Sequence, residues 1–195
     1  MNEIKDIANR EGDVNAQAFV YPPDLFAETN PPAVWSCVRT RPRWEKRFAK
    51  WLHGNNMAFF LPVVPKRTRS HRKSRKSDLP LFTGYVFVAG LHTKADFTRS
   101  ASVAYVLVPR SEEEHANLNG RLTDVWRLVG SGQDIEASHE LQPGVNVRIV
   151  AGALMGLRGR FLREGAGGKL LVWLDLLGAG VATEIADATL VEQVD

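Results

Sequence analysis

The sequence predicts an α+β fold, a ferredoxin-like βαββαβ sandwich with an extra helix, followed by a small β-barrel. Two observations predict it. Between residues 34 and 129, short apolar segments alternate with segments whose apolar residues repeat at helical spacing. After residue 140 the apolar residues recur at every second position, and glycines interrupt the chain at short intervals, which is typical of short strands and tight turns.

The same changes in pattern predict the domain organisation. Residues 1–33 are polar and contain two Pro-Pro pairs, so we expect a disordered or loosely attached extension. Residues 34–129 form the α/β domain. Residues 130–140, GSGQDIEASHE, have the composition of a flexible linker. Residues 141–195 form the barrel.

The elements of the α/β domain follow one another along the chain. Residues 34–38 are predicted as a strand. A helix follows, since Trp44, Phe48 and Trp51 repeat at helical spacing. Two apolar segments come next, at 57–64 and 79–89, with a basic segment at 66–76 between them. A short helix is predicted at 93–100 and a fourth strand at 104–108. The order predicts a hairpin with a long basic loop.

An additional helix is predicted to close this domain. Ser111 followed by Glu114 has the spacing of a capping box. Leu118, Leu122 and Val125 then mark one face of a helix that ends near Gly130. In the barrel region, Val145, Val147 and Ile149 alternate, as do Leu170, Val172 and Leu174.

The charges are segregated along the chain. Residues 34–110 carry sixteen basic and three acidic side chains, a net charge of +13. Residues 1–33 carry −4 and residues 111–195 carry −6. A strongly basic block indicates a polyanionic or acidic partner, although charged runs are often only a solvated surface.

Several classes of protein are disfavoured. The five histidines and Cys37 have no metal-ligand spacing, and neither a phosphate loop nor a G-x-S-x-G motif is present, so we expect no metal, no cofactor and no enzymatic activity. No apolar run approaches the roughly 20 residues of a membrane span. The single cysteine fits a reducing environment, and the N-terminus has no apolar signal core, so we expect a cytoplasmic protein without membrane contact.

Three motifs resemble the N-terminal domain of the NusG family of transcription factors. They are WSCVRTRPRWE at 35–45, FLP at 60–62 and PLFTGYVFV at 80–88, in the order that the family shows. The segments LQPGVNVRI at 141–149 and GALMGLRG at 152–159 resemble its KOW domain. Thr83 stands where the family usually has proline. With its long basic insertion and a dissimilar N-terminal extension, the chain resembles specialised paralogues, such as the RfaH-like antiterminators, more than the housekeeping factor.

The resemblance implies partners and site residues. Phe82, Tyr85 and Phe87 would form a pocket that binds the clamp helices of RNA polymerase. Upstream or non-template DNA would contact basic residues, which are Arg39, Arg41, Arg43, Lys46, Arg47, Lys66, Arg67, Arg69, Arg72, Lys73, Arg75 and Lys76. The KOW domain would contact a ribosomal protein or the Rho terminator, and its motif glycines are Gly152, Gly156 and Gly159.

Some specialised relatives fold the KOW domain alternatively as a helical hairpin. Here the three motif glycines disfavour a helix, because each costs about 1 kcal/mol at a helical site. The resemblance as a whole implies a transcription elongation or antitermination factor that binds RNA polymerase and suppresses pausing or termination. Two alternatives stay open: a ribosome- or RNA-binding KOW protein, and a housekeeping NusG that assists Rho.

Overall fold

A computed structural model describes residues 18–27, 34–70, 73–140 and 144–194. The chain divides into two compact units, Met1–Asn119 and Gly120–Asp195. Each unit contains a six-stranded antiparallel sheet. The mixed content of helices and strands that the sequence predicts is confirmed, and each unit has its own antiparallel sheet. Closure of the second sheet into a barrel stays a prediction.

The N-terminal sheet has the strand order β1-β3-β5-β2-β6, and β4 pairs with β3 beside this path. The strands are β1 (Ala18–Tyr21), β2 (Trp35–Thr40), β3 (Phe59–Ser70), β4 (Lys73–Pro80), β5 (Tyr85–Ala89) and β6 (Val103–Leu107). Every pairing is antiparallel, and β2 lies between β5 and β6. This position gives the side chains of β2 neighbours on both adjacent strands.

Helix α1 (Glu45–Gly54) covers one face of this sheet. Its apolar side chains Phe48 and Leu52 are fully buried in a core with Val38, Phe59 and Val88. The short helix predicted at 93–100 is a 3₁₀ helix, Lys94–Ser100, that adds Phe97 to the same core. Thr93 and Asp96 cap its beginning with a reciprocal pair of hydrogen bonds.

Part of the N-terminal extension belongs to the folded unit. Strand β1 pairs with the edge of β3, with Phe19 opposite Leu61. After it, Phe26 is buried against Trp35 and Phe60, with ring centroids 5.6 Å and 4.9 Å away. Residues 18–27 therefore differ from the predicted loose extension, because their apolar side chains complete the sheet. Residues 1–17 and 28–33 of that prediction lie outside the described residues.

The predicted basic loop is mostly part of a hairpin. Strands β3 and β4 pair continuously from Val63 opposite Pro80 to Ser70 opposite Lys73. An extended ladder gives these backbone groups hydrogen-bond partners, which an open loop of the same length would have to find in water. The middle of the predicted loop, residues 71–72, lies outside the described residues.

Helix α2 (Glu112–Gly130) spans the boundary between the two units. The Glu114 N–H donates to the Ser111 hydroxyl, as the capping-box spacing predicts. The Glu114 carboxylate accepts from the Arg110 N–H rather than from that of Ser111. No helix among the described residues is long and apolar enough to cross a membrane.

The C-terminal sheet has the strand order β12-β8-β9-β10-β11-β7. The strands are β7 (Ile135–Ser138), β8 (Val145–Ile149), β9 (Arg158–Glu164), β10 (Gly167–Leu174), β11 (Ala179–Ile185) and β12 (Val191–Gln193), with a 3₁₀ turn at Ala188–Leu190. Of the predicted alternating positions, Val147, Ile149, Leu170, Val172 and Leu174 are buried, whereas Val145, the first residue of β8, is 45% exposed. Residues 145–160 thus contain two strands in this structure, and no helix.

Strand β7 lies within the segment that we predicted as a flexible linker. It pairs antiparallel with β11, with Ala137 opposite Val181. Just before it, the Asp134 carbonyl accepts a hydrogen bond of 2.8 Å from Thr183 Oγ1. The polar composition of this segment gives no strand signal in the sequence. An edge strand pairs through its backbone and needs few apolar side chains, so its pattern is weak. A fragment beginning at residue 141 would lack it.

Candidate functional site

The turn before β5 is fixed by helix α1. The two ends of this turn are joined by a hydrogen bond of 3.0 Å from the Tyr85 N–H to the Phe82 carbonyl. Gly84 has a φ of +83°, a conformation that favours glycine. The N–H of Gly84 donates to the carboxylate of Glu45 over 2.6 Å, and Glu45 is only 4% exposed. A buried charge-assisted hydrogen bond therefore holds the turn against the first residue of the helix.

An exposed patch lies across three adjacent strands beside this turn. Arg39 of β2 is directly opposite Tyr85 of β5 on one side and Tyr105 of β6 on the other. The Arg39 guanidinium carbon lies 4.6 Å from the centroid of the Tyr85 ring, and its Nη1 donates to the Thr83 carbonyl over 2.9 Å. The hydroxyls of Tyr85 and Tyr105 are 3.3 Å apart. We call Arg39, Tyr85 and Tyr105 the tyrosine patch.

The surroundings of Tyr85 raise the pKa of a hydroxyl that is already protonated at neutral pH. Burial raises the pKa of Tyr85 above its ordinary value of 10.0, and the hydrogen bond with Tyr105 raises the pKa further. Arg39 acts in the opposite direction. The hydroxyl therefore keeps its proton at neutral pH and can donate or accept a hydrogen bond at the surface. Tyr105 leaves 45% of its area exposed, so the patch offers both apolar and polar groups.

The other two predicted polymerase-binding residues lie in the core. Phe82 is 3% exposed and Phe87 is fully buried. Their rings meet edge to face with centroids 5.6 Å apart, and Phe87 also approaches Phe60 at 6.2 Å. In this structure Tyr85 alone of the three reaches the surface, whereas Phe82 and Phe87 form an aromatic layer of the interior.

An arginine cluster surrounds Trp44 where the chain enters α1. The guanidinium carbons of Arg47 and Arg41 lie 4.3 Å and 5.3 Å from the indole ring. Arg43 is exposed and has a φ of +66°, in the turn that closes with a hydrogen bond from Trp44 N–H to the Arg41 carbonyl. Lys46 is half-buried, with its Nζ 5.7 Å from the ring of Phe19. We call Arg41, Arg43, Trp44 and Arg47 the arginine cluster.

The remaining predicted nucleic-acid-binding residues lie on the β3–β4 hairpin. For Lys66, Arg67, Arg69, Lys73, Arg75 and Lys76 the structure describes the backbone pairing alone. Arg67 is opposite Lys76, and Arg75 is opposite Thr68. Arg72 lies outside the described residues. The hairpin thus carries basic residues on both of its strands.

The three glycines of the predicted KOW motif serve two structural purposes. Gly152 and Gly156 have φ values of +83° and +85° in the turn between β8 and β9. Gly159 lies within β9, where an added Cβ would come 2.7 Å from the carbonyl oxygen of Leu171. Side chains are therefore disfavoured by backbone conformation at the first two positions and by the neighbouring strand at the third.

The comparison with protein families identifies the family. A family model described as transcription termination factor nusG matches residues 33–139, more than half of the chain. The chain belongs to the NusG family. No curated protein matches it in a sequence search. The family match includes the tyrosine patch, the arginine cluster and the β3–β4 hairpin, so all of these features lie in the part of the chain that is NusG-like.

Family membership gives the coarse function. The chain is a member of a family of transcription factors that are not enzymes and that typically interact with RNA polymerase. Among the described residues, no group of three or more His, Cys, Asp and Glu side chains could hold a metal ion. Burial raises the pKa of the Cys37 thiol to about 12, which leaves it without nucleophilic thiolate at neutral pH.

Two residues of the site were missed by the sequence reasoning. Glu45 ends the NusG-like WSCVRTRPRWE motif, but its partner Gly84 is 39 positions away and only the fold brings them together. Tyr105 lies in the predicted fourth strand, where a lone tyrosine gives no functional signal. Its proximity to Tyr85 arises because β5 and β6 both pair with β2, where Arg39 is opposite each of the two tyrosines.

Proposed function

We propose that this NusG-family chain binds RNA polymerase through the tyrosine patch and acts as an elongation and antitermination factor. The observation that carries the proposal is the position of Tyr85. Its ring is half-buried beside Arg39, its hydroxyl lies at the surface next to Tyr105, and the turn before it is fixed by Glu45. A rigid, partly exposed aromatic residue of this kind is typical of binding hot spots.

The chemistry of the patch suits a helical partner such as the polymerase clamp helices. Aromatic rings can fill the groove between apolar side chains on a helix, and a tyrosine hydroxyl can satisfy a polar group at the edge of the contact. Arg39 adds a positive charge that an acidic side chain on the partner would complement. Phe82 and Phe87 would contribute to binding indirectly. Their buried rings pack against each other and keep strand β5, which carries Tyr85, in place.

The arginine cluster and the basic hairpin are proposed to contact upstream or non-template DNA. Phosphate contacts of this kind add affinity without reading sequence. Arg41, Arg43 and Arg47 are exposed and lie at the beginning of a helix that the core holds firmly. Arg39, which belongs to the tyrosine patch, and Lys46, which lies beside Phe19 of β1, would add to this basic surface. Together they would keep nucleic acid close to a chain already bound to polymerase.

Binding at these two surfaces would favour the closed state of the polymerase clamp. A factor that binds the closed state better than the open one shifts the population toward it, and no covalent chemistry is required. Pausing and termination would decrease because both depend on rearrangement of the polymerase. The β-rich C-terminal unit is proposed to be a KOW domain that contacts a ribosomal protein or Rho.

Two features support a specialised RfaH-like paralogue rather than a housekeeping factor. The β3–β4 hairpin carries a dense basic insertion, and residues 18–27 add a strand and the buried side chain of Phe26 to the N-terminal unit. The alternative of a ribosome- or RNA-binding KOW protein would use the basic hairpin on RNA directly, without the tyrosine patch.

Affinity for purified RNA polymerase tests the proposal. We expect Tyr85→Ala to weaken binding about 10- to 100-fold, the range for loss of a hot-spot aromatic residue. Leu91→Ala is the matched control: Leu91 is 63% exposed and lies beyond the opposite end of β5, so its removal should leave affinity unchanged.

Two results would overturn the assignment. One is unchanged polymerase affinity in a Tyr85→Ala protein whose circular dichroism and melting temperature match the wild type. The other is recovery of ribosomal RNA without polymerase subunits when the wild-type chain is used as bait in a pull-down, which would support the RNA-binding alternative.

A further inference from the structure

Strand β1 covers only the beginning of one edge of β3. It pairs antiparallel with residues 59–62, and its first residue, Ala18, is opposite Pro62. Strands β1 and β5 lie on opposite edges of β3. The chain from β4 to β5 stays on the β5 edge, where the Leu81 N–H donates to the Pro62 carbonyl over 2.9 Å. Among the described residues, nothing pairs with the β1 edge of β3 beyond Pro62, and we call this stretch the open edge.

The open edge presents backbone groups at every second residue. In an antiparallel ladder, the N–H and C=O groups of successive residues point to opposite edges of their strand. Because the Pro62 carbonyl points toward β4, the backbone groups of Val63 point to the open edge. The same alternation places the groups of Arg67 and Arg69 there, whereas Pro65 offers a carbonyl alone. Unpaired groups of this kind are a template for a further strand.

The chain that precedes β1 reaches the open edge in a fixed register. It lies outside the described residues, but the pairing of β1 with β3 determines which residue would come to each position. Continuing the same antiparallel ladder places Asp13 opposite Arg67 and Glu11 opposite Arg69. Each is a pair of opposite charges, and directly opposite pairs of this kind stabilise a sheet.

The charges of the two segments favour the same contact. Residues 1–17 carry four acidic and two basic side chains, whereas residues 66–76 carry seven basic side chains and no acidic one. Like charges at directly opposite positions destabilise a pair of strands, and Arg67 of β3 is opposite Lys76 of β4. An acidic strand beside the hairpin would reduce this repulsion.

We propose that residues 10–17 continue β1 along the open edge of β3 and screen the basic hairpin from nucleic acid. The carboxylates of Glu11 and Asp13 then face positive charges that a phosphate backbone would otherwise neutralise. Nucleic acid competes with these carboxylates, so it binds more weakly than the charge of the hairpin alone would give. The screening rests on the proposed nucleic-acid contact of the hairpin, whereas the added strand does not.

Nuclear Overhauser effects in the full-length chain test the added strand. The register makes Val14 and Lys66 a pair that exchanges no backbone hydrogen bonds, and the Cα atoms of such a pair are about 4.5 Å apart. We therefore expect an Overhauser effect between their Hα protons. Val20 and Phe60, a pair of the same kind within β1 and β3, provide the internal control. An effect that is seen for the control pair and absent for Val14 and Lys66 would overturn the proposal.

Neutralising the acidic residues tests the screening. Glu11→Gln/Asp13→Gln removes the two carboxylates that the register places on β3. Glu3→Gln/Asp6→Gln is the matched control, because it removes the same charge from positions that the register places beyond the end of β3. At low salt, we expect the first variant to bind a DNA duplex of mixed sequence about 3- to 10-fold more tightly than the wild type, as measured by fluorescence anisotropy, and the control to stay within about twofold.

Three results would contradict the screening. Equal tightening in the two variants would mean that net charge alone explains the effect. Unchanged affinity of Glu11→Gln/Asp13→Gln, for a duplex that the wild type binds through the hairpin, would mean that the carboxylates do not compete with DNA. If replacement of the seven basic residues of 66–76 leaves DNA binding unaltered, the nucleic-acid contact itself fails and the screening fails with it, while the Overhauser effect still decides the added strand.

Discussion

Asp124→Asn should stabilise the C-terminal unit at neutral pH, because the native structure disfavours the ionised carboxylate. The pKa of Asp124 rises from an ordinary value of 3.8 to about 6 on folding. The folded chain therefore binds this proton more tightly than the unfolded chain does. Between these two values the unfolded state releases the proton first, so the free energy of unfolding falls as pH rises.

The magnitude follows from the size of the shift. One pKa unit corresponds to about 1.4 kcal/mol, so a shift from 3.8 to about 6 corresponds to at most about 3 kcal/mol of lost stability above pH 6. The Arg158 N–H donates to the Asp124 carboxylate. Asparagine keeps the acceptor for the Arg158 N–H and carries no charge. The variant should therefore match the wild type near pH 4 and exceed it by up to about 3 kcal/mol at pH 7.5.

Urea unfolding of the full-length chain, followed by NMR, provides the measurement. Amide signals of Val172 and Val181 report the C-terminal unit, and those of Val38 and Val86 report the N-terminal unit, since all four residues are buried in their own sheets. Glu192→Gln is the control, because Glu192 forms an exposed ion pair with Arg148. A stability difference between Asp124→Asn and wild type that is the same at pH 4 and pH 7.5 would refute the reasoning.

Two further predictions concern the N-terminal unit. Glu45→Ala leaves the buried N–H of Gly84 without its partner and should lower the free energy of unfolding by about 1–3 kcal/mol. Glu45→Gln should lose less stability, because an acceptor for this N–H remains. Urea denaturation compares the two variants, and equal losses of stability would contradict the role of the hydrogen bond. Replacing the seven basic residues of 66–76 with Gln and Ser should flatten the salt dependence of nucleic-acid binding. With about three phosphates contacted, log K for the wild type should fall with log salt at a slope of about −2 to −3, and an unaltered slope in the variant would show that the hairpin is only a solvated surface.

The sequence alone determined the order and type of most elements, because their signals are local. The alternation of Leu170, Val172 and Leu174 predicts a strand with one buried face, and each of these residues is buried. The helical spacing of Phe48 and Leu52 predicts a helix that packs on the sheet, and it does. The NusG-like motifs in 35–88 likewise predicted the family that the family model identifies.

Only the tertiary structure decided which residues meet. Glu45 and Gly84, or Tyr85 and Tyr105, come together because strand pairing joins distant segments, and no local pattern encodes that pairing. Strand β7 was concealed for a related reason, since its pairing with β11 uses backbone groups that every sequence possesses. The burial of Phe82 and Phe87 and the contact of Asp124 with the first residue of β9 also depend on how whole elements pack, which periodicity within one element cannot specify.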